Sequence, residues 1–355
     1  MQFDLVVQFW QPFYTGLLVA LLTTPLAIYL AWKYQVVDDP RQHQHEKVVH
    51  TYPTPRLGGI SVWLAVILVT LVWLPWDKHL WAIWTSSLLA VVVGVIDDKF
   101  DISPYVRLLT NLLSAVILVA VGIRIDYLSH PLGQGVINLT GWQWQIPWGA
   151  GSMVLPWLAV LVTLLWIVGM MNLVGMGAGG IEGQFPGVVV IAALFIAGYS
   201  LKFSADIAQW PVITLAAGVA GAYLGLLVYN FYPQKIIPGY SAKSLAGLWL
   251  AILAILATTK VGLLMVILGV PLVDFAWAIV RRVLSGRSPF WGDRGHLHHR
   301  LLDSGWSKVQ IVLFYWIISF FLGWLALSAG TQQKILMLMV LALLVGSVLR
   351  LKHKP

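Results

Sequence analysis

Long runs of apolar residues, separated by short polar segments, dominate the chain. Each run approaches the roughly 20 apolar residues that a helix needs to cross a bilayer. The pattern predicts an all-α polytopic integral membrane protein with about eleven transmembrane helices, ten being the alternative count, in a single transmembrane domain over 1–355. The predicted spans are 8–32, 57–75, 80–96, 104–123, 152–174, 186–201, 210–229, 244–258, 261–280, 309–329 and 335–349.

The segment between the fourth and fifth spans has a different pattern. Residues 136–140 and 142–146 flank Gly141 and alternate partly between apolar and polar positions. Alternation of this kind on both sides of a glycine is typical of two paired strands. We therefore expect a small external β-hairpin that joins the two strands through Gly141.

Composition narrows the class of protein. Hydrophobic residues make up 59% of the chain and charged residues 10%, against about 25% charged in soluble proteins. So few charges exclude a soluble domain, a disordered chain and a broadly basic nucleic-acid binder. The chain has no cysteine, which excludes disulfides, thiolate catalysis and Cys-ligated zinc.

The distribution of basic residues predicts the orientation in the membrane. If the N-terminus is outside, 17 of the 22 lysines and arginines fall in inner loops or at the C-terminus. This bias fits the positive-inside rule, and the net charge of +8 is then explained by loops that face anionic membrane lipid. The first span lacks a preceding basic region and is expected to be a retained helix rather than a signal peptide.

Most acidic residues also fall in the inner loops, so the chemistry is expected on the cytoplasmic face. Asp97, Asp98 and Asp101 directly follow the third apolar run. On a continuing helix, Asp97 and Asp101 would share a face and repel each other unless a cation lay between them. Such carboxylates suit Mg²⁺, and a solvated helix end is the alternative interpretation.

Three other inner loops carry candidate chemistry. The segment 293–300 holds three histidines and two arginines, which can bind phosphate and move protons, or can form an ordinary polar surface. The segment 47–59 combines basic residues with two prolines and ends in Gly58 and Gly59. The segment 175–187 has six glycines around Glu182, and such loops can wrap phosphate with backbone N–H groups.

Together these segments resemble the polyprenyl-phosphate N-acetylhexosamine-1-phosphate transferases of glycosyltransferase family 4. This family includes undecaprenyl-phosphate GlcNAc-1-phosphate transferases and phospho-MurNAc-pentapeptide translocases. The resemblance runs from about Val37 to Lys308 and keeps the motif order. The loop 293–299, with its His-x-His-His pattern, is the most specific match and is closer to the GlcNAc-1-phosphate branch.

The resemblance implies the reaction, its partners and its place. A HexNAc-1-phosphate, with GlcNAc as the expected sugar, would pass from a UDP-sugar to polyprenyl (undecaprenyl) phosphate with release of UMP. Mg²⁺ or Mn²⁺ would be the cofactor. The resemblance leaves open whether the protein forms a homodimer. The enzyme would act at the cytoplasmic face of the bacterial inner membrane, in cell-envelope glycan biosynthesis such as lipopolysaccharide or exopolysaccharide assembly.

The resemblance also assigns residues to roles. The active loops would be about 33–56, 97–107, 175–187, 230–243 and 281–308. The catalytic residues would be Asp97, Asp98 and His298. The metal ligands would be Asp101 and Glu182. The substrate-binding residues would be Lys47, His50, Arg56, Asp293, Arg294, His296 and His299.

Two positions depart from the family pattern. Gly179 stands where the first acid of the family's Asp-Gly-x-Asp-Gly segment falls, and Tyr240 stands where the family has a metal-binding Asp. A tyrosine does not replace a carboxylate on Mg²⁺ at neutral pH. A non-catalytic homologue that binds polyprenyl lipid or nucleotide sugar is therefore the first alternative, and a phospho-MurNAc-pentapeptide translocase is the second. A solute transporter fits less well, because the spans carry almost no ionisable residue beyond Asp274.

Overall fold

The computed structural model describes residues 3–41, 50–131, 133–148, 151–177, 179–257, 261–288 and 294–350. Thirteen α-helices are found in these ranges. They are α1 (Gln11–Lys33), α2 (Gly58–Trp73), α3 (Lys78–Phe100), α4 (Pro104–Ala120), α5 (Trp157–Gly177), α6 (Gln184–Leu201), α7 (Trp210–Asn230), α8 (Gly239–Leu256), α9 (Val261–Ile267), α10 (Gly269–Leu284), α11 (Leu297–Asp303), α12 (Lys308–Ala326) and α13 (Thr331–Arg350).

The polytopic all-α architecture is confirmed. Within the described residues, eight helices are long and apolar enough to cross a membrane, and a bent pair makes a ninth candidate. Helices α2 and α4 are apolar but shorter, with 16 and 17 residues. Each of the eleven predicted spans therefore falls on a helix or, in one case, on the bent pair.

The exception is the predicted span 261–280, which is not one straight helix. It is divided into α9 and α10, which meet at an angle of 81°. Pro271 explains the break, because it has no N–H to donate to the carbonyl of Ile267 and its ring opposes continuation of the helix. The bend directs the end of α10, with Arg281 and Arg282, toward the polar loops.

Helices α7 and α8 lie at the centre of the molecule. Helix α7 packs closely along α1 and α6, and α8 packs along α5 and α3. Small residues allow this approach: a Cβ on Gly221 would overlap the backbone of Phe13 in α1, and one on Gly247 would overlap Met171 in α5. Close packing at glycines is a common way for helices to associate in membranes, where the hydrophobic effect does not drive helix association.

The same packing brings α2 and α3 to the beginning of α8. Gly59 in α2 and Gly94 in α3 both face Ser241, and a Cβ on either glycine would overlap it. Helix α8 begins at Gly239, whose φ of +75° is the left-handed conformation that glycine adopts readily. The end of α3, which carries Asp97 and Asp98, therefore lies directly beside the first turn of α8.

The strands form three antiparallel pairs. They are β1 (Val37–Asp38) with β2 (Thr54–Pro55), β3 (Tyr127–Ser129) with β4 (Val136–Asn138), and β5 (Trp144–Trp148) with β6 (Gly151–Leu155). The predicted pairing across Gly141 is wrong. Residues 136–138 pair back onto 127–129 and residues 144–148 pair forward onto 151–155, so two hairpins flank the glycine instead of one.

Apolar side chains cover much of the outer helix surfaces. Leu22 in α1, Ile317 in α12 and Leu343 in α13 are each at least 65% exposed. Exposure of large apolar residues over entire helices marks contact with another apolar phase. These faces are suited to membrane lipid, and they leave the polar chemistry to the helix ends and loops.

Candidate active site

One cavity of about 490 Å³ lies where the end of α3, the beginning of α8 and the polar loops meet. Each of the five loop segments selected from the sequence contributes to its lining. Nine of the twelve predicted site residues line it: His50, Arg56, Asp97, Asp98, Asp101, Glu182, His296, His298 and His299. Residues that are distant in the sequence thus share one site.

Three predicted residues are not placed in the cavity. Lys47 and Asp293 lie outside the described residues. Arg294 is described, but it does not line the cavity. Its Nη2 lies 2.6 Å from Oδ1 of Asp303, in a partly exposed ion pair. The structure therefore places Arg294 in the histidine loop but outside the lining of the cavity.

Asp98 connects α3 to α8. Its Oδ1 accepts a hydrogen bond from the Tyr240 N–H at 2.6 Å, and its Oδ2 accepts from the Ser241 hydroxyl at 2.6 Å and from the Ser241 N–H at 3.3 Å. The first N–H groups of a helix have no partner within that helix and attract negative charge. Asp98 thus caps α8 from a neighbouring helix, and both of its oxygens are used.

Asp97 has a different environment. Its Oδ1 accepts a hydrogen bond from Arg107 Nε at 2.5 Å. Its Oδ2 is buried and has no hydrogen-bond partner in the described part of the chain. A buried carboxylate oxygen without a partner is costly, so this oxygen is a candidate for contact with a substrate group.

Arg107, near the beginning of α4, was missed as a site residue in the sequence. It bridges two acids, because its Nη2 also donates to Asp101 Oδ1 at 2.5 Å. Its guanidinium carbon lies 5.2 Å from the centre of the Tyr240 ring, in a cation–π contact. The cation that the sequence requires between Asp97 and Asp101 is therefore an arginine of the chain itself.

Arg56 carries a second fixed positive charge in the cavity. Its Nε lies 3.6 Å from Asp98 Oδ1, and its Nη1 lies 3.7 Å from Asp38 Oδ2. Burial by itself lowers the pKa of Arg56, but the carboxylates of Asp98 and Asp38 act in the opposite direction and the net pKa is raised. The β1–β2 pair holds this arrangement, because it places Asp38 opposite Thr54.

Lys243 is a third cation of the cavity that the sequence analysis did not select. It lies in the first turns of α8 and its Nζ donates to the carbonyl oxygen of Gly179 at 3.1 Å. Periodicity alone gives no signal for it, because any inner loop is expected to carry lysine. Its significance depends on the glycine opposite, which only the fold brings close.

The histidine loop is anchored by a buried acid. Asp274 in α10 accepts a hydrogen bond from the Leu297 N–H at 3.0 Å through Oδ1, and its Oδ2 lies 3.0 Å from His296 Nδ1. Arg282 Nη2 lies 3.3 Å from the other ring nitrogen of His296. Asp274 thus fixes both the beginning of α11 and the orientation of one histidine.

His298 lies beyond this anchor and is buried. Burial, the largest cause, lowers the pKa of His298 well below its ordinary value of 6.5, and nearby basic groups lower it further. The imidazole is therefore neutral at pH 7. Its Nδ1 has no hydrogen-bond partner among the described residues. A Cβ on Gly180 would overlap the ring, so this glycine makes room for His298.

Glu182, which also lines the cavity, is held by a basic side chain. Its Oε1 lies 2.7 Å from Lys308 Nζ, at the beginning of α12. Its Oε2 is buried and lacks a partner in the part of the chain that the structure describes. Asn230 fixes the adjoining turn by accepting a hydrogen bond from the Gly183 N–H at 2.9 Å.

These residues fit a divalent metal ion poorly. Over the described ranges, no group of three or more His, Cys, Asp or Glu side chains is placed to hold a metal. The two predicted ligands, Asp101 and Glu182, each pair with a basic side chain, Arg107 and Lys308. At the family's metal position, the Tyr240 hydroxyl donates to Asn111 Oδ1 at 3.2 Å.

Comparison with known proteins gives a consistent result. The family model of glycosyl transferase family 4 matches residues 80–258. A probable undecaprenyl-phosphate N-acetylglucosaminyl 1-phosphate transferase of Bacillus subtilis is 30% identical over 316 residues, covering 87% of this chain and 81% of the relative.

Two other relatives are more distant. A decaprenyl-phosphate N-acetylglucosaminephosphotransferase of Mycobacterium leprae is 29% identical and covers 85% of this chain and 80% of its own length. A phospho-N-acetylmuramoyl-pentapeptide-transferase of Lactobacillus gasseri is 26% identical and covers 90% and 96%. The matches extend over the helices and loops that build the cavity, and the chain therefore belongs to glycosyl transferase family 4 and is a membrane transferase.

Proposed function

We propose that this protein transfers a HexNAc-1-phosphate, with GlcNAc as the sugar, from a UDP-sugar to polyprenyl phosphate in cell-envelope glycan biosynthesis. The observation that carries the proposal is the cavity itself, which combines the diaspartate, the histidine loop and fixed cations at the ends of membrane helices. The names of two relatives describe transfer of an N-acetylglucosamine phosphate to a polyprenyl phosphate, and a third relative is named as a phospho-N-acetylmuramoyl-pentapeptide-transferase.

The reaction joins two anions. An oxygen of the lipid phosphate attacks the phosphorus that carries the sugar, and a new P–O–P linkage forms. The bond from that phosphorus to the oxygen bridging the two phosphates of UDP breaks, and the electron pair leaves with UMP. Positioning and charge neutralisation are the main demands of such a step, and the cations of the cavity meet both.

The residue roles follow from the contacts. Asp97 is the orienting or proton-accepting carboxylate, because it has an unpartnered oxygen whereas Asp98 is used in capping α8. Arg56 holds the lipid phosphate, and the family resemblance assigns the same role to Lys47. The neutral imidazole of His298 contacts the diphosphate of the donor together with His296 and His299. His50, whose Nε2 lies 3.3 Å from the Asp38 carbonyl oxygen, borders the lipid side.

A non-catalytic homologue is the second candidate function. Gly179 and Tyr240 provide no carboxylate at two family positions, and the acids that remain are largely paired with bases of the chain. Such a protein would keep the cavity and bind nucleotide sugar or polyprenyl lipid without turnover. Binding without UMP release would identify it.

The deciding experiment measures UMP release by the purified protein in detergent. UDP-GlcNAc and undecaprenyl phosphate are supplied together and singly, with Asp97→Asn as the inactive control. Lipid-dependent UMP release by the wild type supports the proposal. UDP-MurNAc-pentapeptide, tested in parallel, distinguishes the translocase activity, and absence of UMP with every donor would leave only the binding function.

Three related expectations stay predictions. The Mg²⁺ or Mn²⁺ dependence that the family resemblance implies is tested in the same assay by adding each ion to metal-free protein. A homodimer is tested by the mass of the purified protein in detergent. The third expectation is a location in the bacterial cytoplasmic membrane with the site on the cytoplasmic face. This expectation is based on the positive-inside distribution of lysine and arginine.

A further inference from the structure

The hydrogen bonds of Lys243 leave most of its ammonium available. The Nζ donates to the Gly179 carbonyl oxygen, and this is its one hydrogen bond among the described residues. An ammonium group carries three N–H donors. Because Lys243 lines the cavity, the other two donors can serve an anionic group bound there.

Gly179 makes this position of the lysine possible. A Cβ on Gly179 would lie 2.8 Å from Lys243 Nζ, closer than side-chain carbons approach other atoms. An acidic side chain at 179 would therefore need the space that the ammonium occupies. The Lys243 ammonium therefore occupies the space toward which an acidic side chain at 179 would extend, so a positive group lies where the family pattern has a negative one.

Most of the neighbouring acids already have partners in the chain and are not free to bind a metal ion. Asp98 is used by the first turn of α8, and Asp101 and Glu182 are paired with Arg107 and Lys308. Within the described residues, Asp97 Oδ2 and Glu182 Oε2 are the buried carboxylate oxygens without a partner. They belong to α3 and to the loop before α6, and they form part of no three-residue ligand group.

The electrostatic setting of Lys243 is mixed. Arg56 and Arg107 act on it with positive charge, and Asp98 and Asp38 act with negative charge. Because Asp98 is hydrogen-bonded to the first turn of α8 and Asp38 is paired with Arg56, the remaining donors of Lys243 can attract a diphosphate. A fixed ammonium is a point charge suited to phosphate, and lysine serves this purpose in other phosphate sites.

We propose that the Lys243 ammonium takes the place of a divalent metal ion in this cavity and binds the diphosphate of the nucleotide sugar, so that donor binding does not require Mg²⁺. The proposal rests on the proposed function for the identity of the donor. It adds that the departures at 179 and 240 do not make the site defective, because they are parts of a metal-independent diphosphate site.

The first test needs no variant. Binding of UDP-GlcNAc to the wild type is measured by calorimetry in detergent, once after EDTA treatment and once with millimolar Mg²⁺. We expect the same affinity within about twofold. Binding that appears only with Mg²⁺ would overturn the proposal.

The second test removes the charge and keeps the length of the side chain. Lys243→Met should weaken UDP-GlcNAc binding by roughly 10- to 100-fold, the range for loss of a hydrogen bond to a charged group. The matched control is Lys235→Met, because Lys235 is exposed and does not line the cavity. Equal affinity of the Lys243→Met protein and the wild type would contradict the proposal.

The third test reverses the arrangement. A protein carrying Gly179→Asp, Tyr240→Asp and Lys243→Ser restores the acids and removes the ammonium. Its UDP-GlcNAc binding should become Mg²⁺-dependent, and binding that stays independent of Mg²⁺ would count against the exchange of lysine for metal. Absence of a cooperative melting transition in the triple variant would show that it is misfolded. The first two tests would then decide whether Lys243 replaces the metal.

The results separate this inference from the proposed function. UMP release that occurs only with Mg²⁺ would support the transferase and overturn the role of Lys243. UDP-GlcNAc binding that is independent of Mg²⁺ and depends on Lys243, without UMP release in any condition, would support the diphosphate site and overturn the transferase.

Discussion

At the scale of single residues, Asp97 and Asp98 are adjacent in the sequence and yet face different partners. Asp98 accepts the N–H groups at the start of α8, whereas Asp97 is bonded to Arg107 through one oxygen and keeps the other free. The two positions point in different directions from the last turn of α3. Their substitutions are therefore expected to have different effects.

Asp97→Asn should lower turnover by about 10²–10⁴-fold, the usual loss for a proton-accepting or orienting group, with little change in the melting temperature. Asp98→Asn should lower both turnover and melting temperature, because the amide offers one acceptor in place of two and turns N–H groups toward the donors of α8. UMP release and thermal melting in detergent measure the two effects. Equal melting temperatures for both variants would refute the division of roles.

The buried histidine gives a pH-dependent prediction. The folded-state pKa of His298 is lowered, so below pH of about 6.5 the unfolded chain binds a proton at this position that the folded protein does not. The contribution of His298 to the free energy of unfolding is therefore fully present above that pH and is lost as the pH falls below it. His298→Gln should therefore show a smaller drop in melting temperature between pH 7.5 and 5.5 than the wild type, and an equal or larger drop would contradict the assignment.

The structure brings into one cavity the residues that local charge clusters single out in the sequence. Asp97, Asp98 and the three histidines are close together in the chain, and their density alone indicates a site. Arg107 and Lys243 are isolated bases near helix starts, and such bases are equally expected from the positive-inside rule. Their partners are brought close only by helix packing, so no sequence pattern distinguishes these two bases from other basic residues.

At the scale of elements, hydrophobic run length located the helices, but it could not supply tertiary detail. The run 261–280 is continuous in hydropathy, and the break into α9 and α10 depends on one proline. The hairpin was misassigned because 136–138 can pair with either neighbour, and alternation does not choose between them. Strand pairing is a contact between segments, and the pattern of one segment does not specify its partner.

The link between α10 and α11 leads to a prediction for Asp274. Asp274→Asn keeps one acceptor for two donors, the Leu297 N–H and His296 Nδ1. The histidine loop should then lose its fixed position, and the KM for UDP-GlcNAc should rise by about 10-fold. The KM for polyprenyl phosphate should change little, because the loop is assigned to the donor.

Asp303→Asn is the matched control for this prediction. Asp303 ends α11 and pairs with Arg294 at the partly exposed surface, where an ion pair contributes about 0–1 kcal/mol. Its substitution should leave both KM values near those of the wild type. If Asp274→Asn and Asp303→Asn behaved alike, the anchoring role of Asp274 would be excluded.

At the scale of the whole molecule, five polar segments from all parts of the chain converge on one cavity. Convergence requires that the segments lie on the same side of the membrane, at the end of some helices and at the beginning of others, as alternating membrane crossings produce. The exposed apolar faces of α1, α12 and α13 then lie against lipid. The cavity requires only that these segments share one side of the membrane, and the positive-inside distribution predicts that this is the cytoplasmic side.

The topology itself is the final prediction. If the N-terminus is outside and the cavity is cytoplasmic, a reporter fused after Pro355 should be cytoplasmic and one inserted at Gly141, between the two hairpins, should be exported. Alkaline phosphatase, active only when exported, and a fluorescent protein, active in the cytoplasm, give opposite readouts at each position. Insertion at Gly141 is tolerant of added mass, because a Cβ there would meet no atom within 4 Å. A deviating result at one position alone would reject an odd number of crossings between Gly141 and Pro355, and deviating results at both positions would place the cavity on the other face.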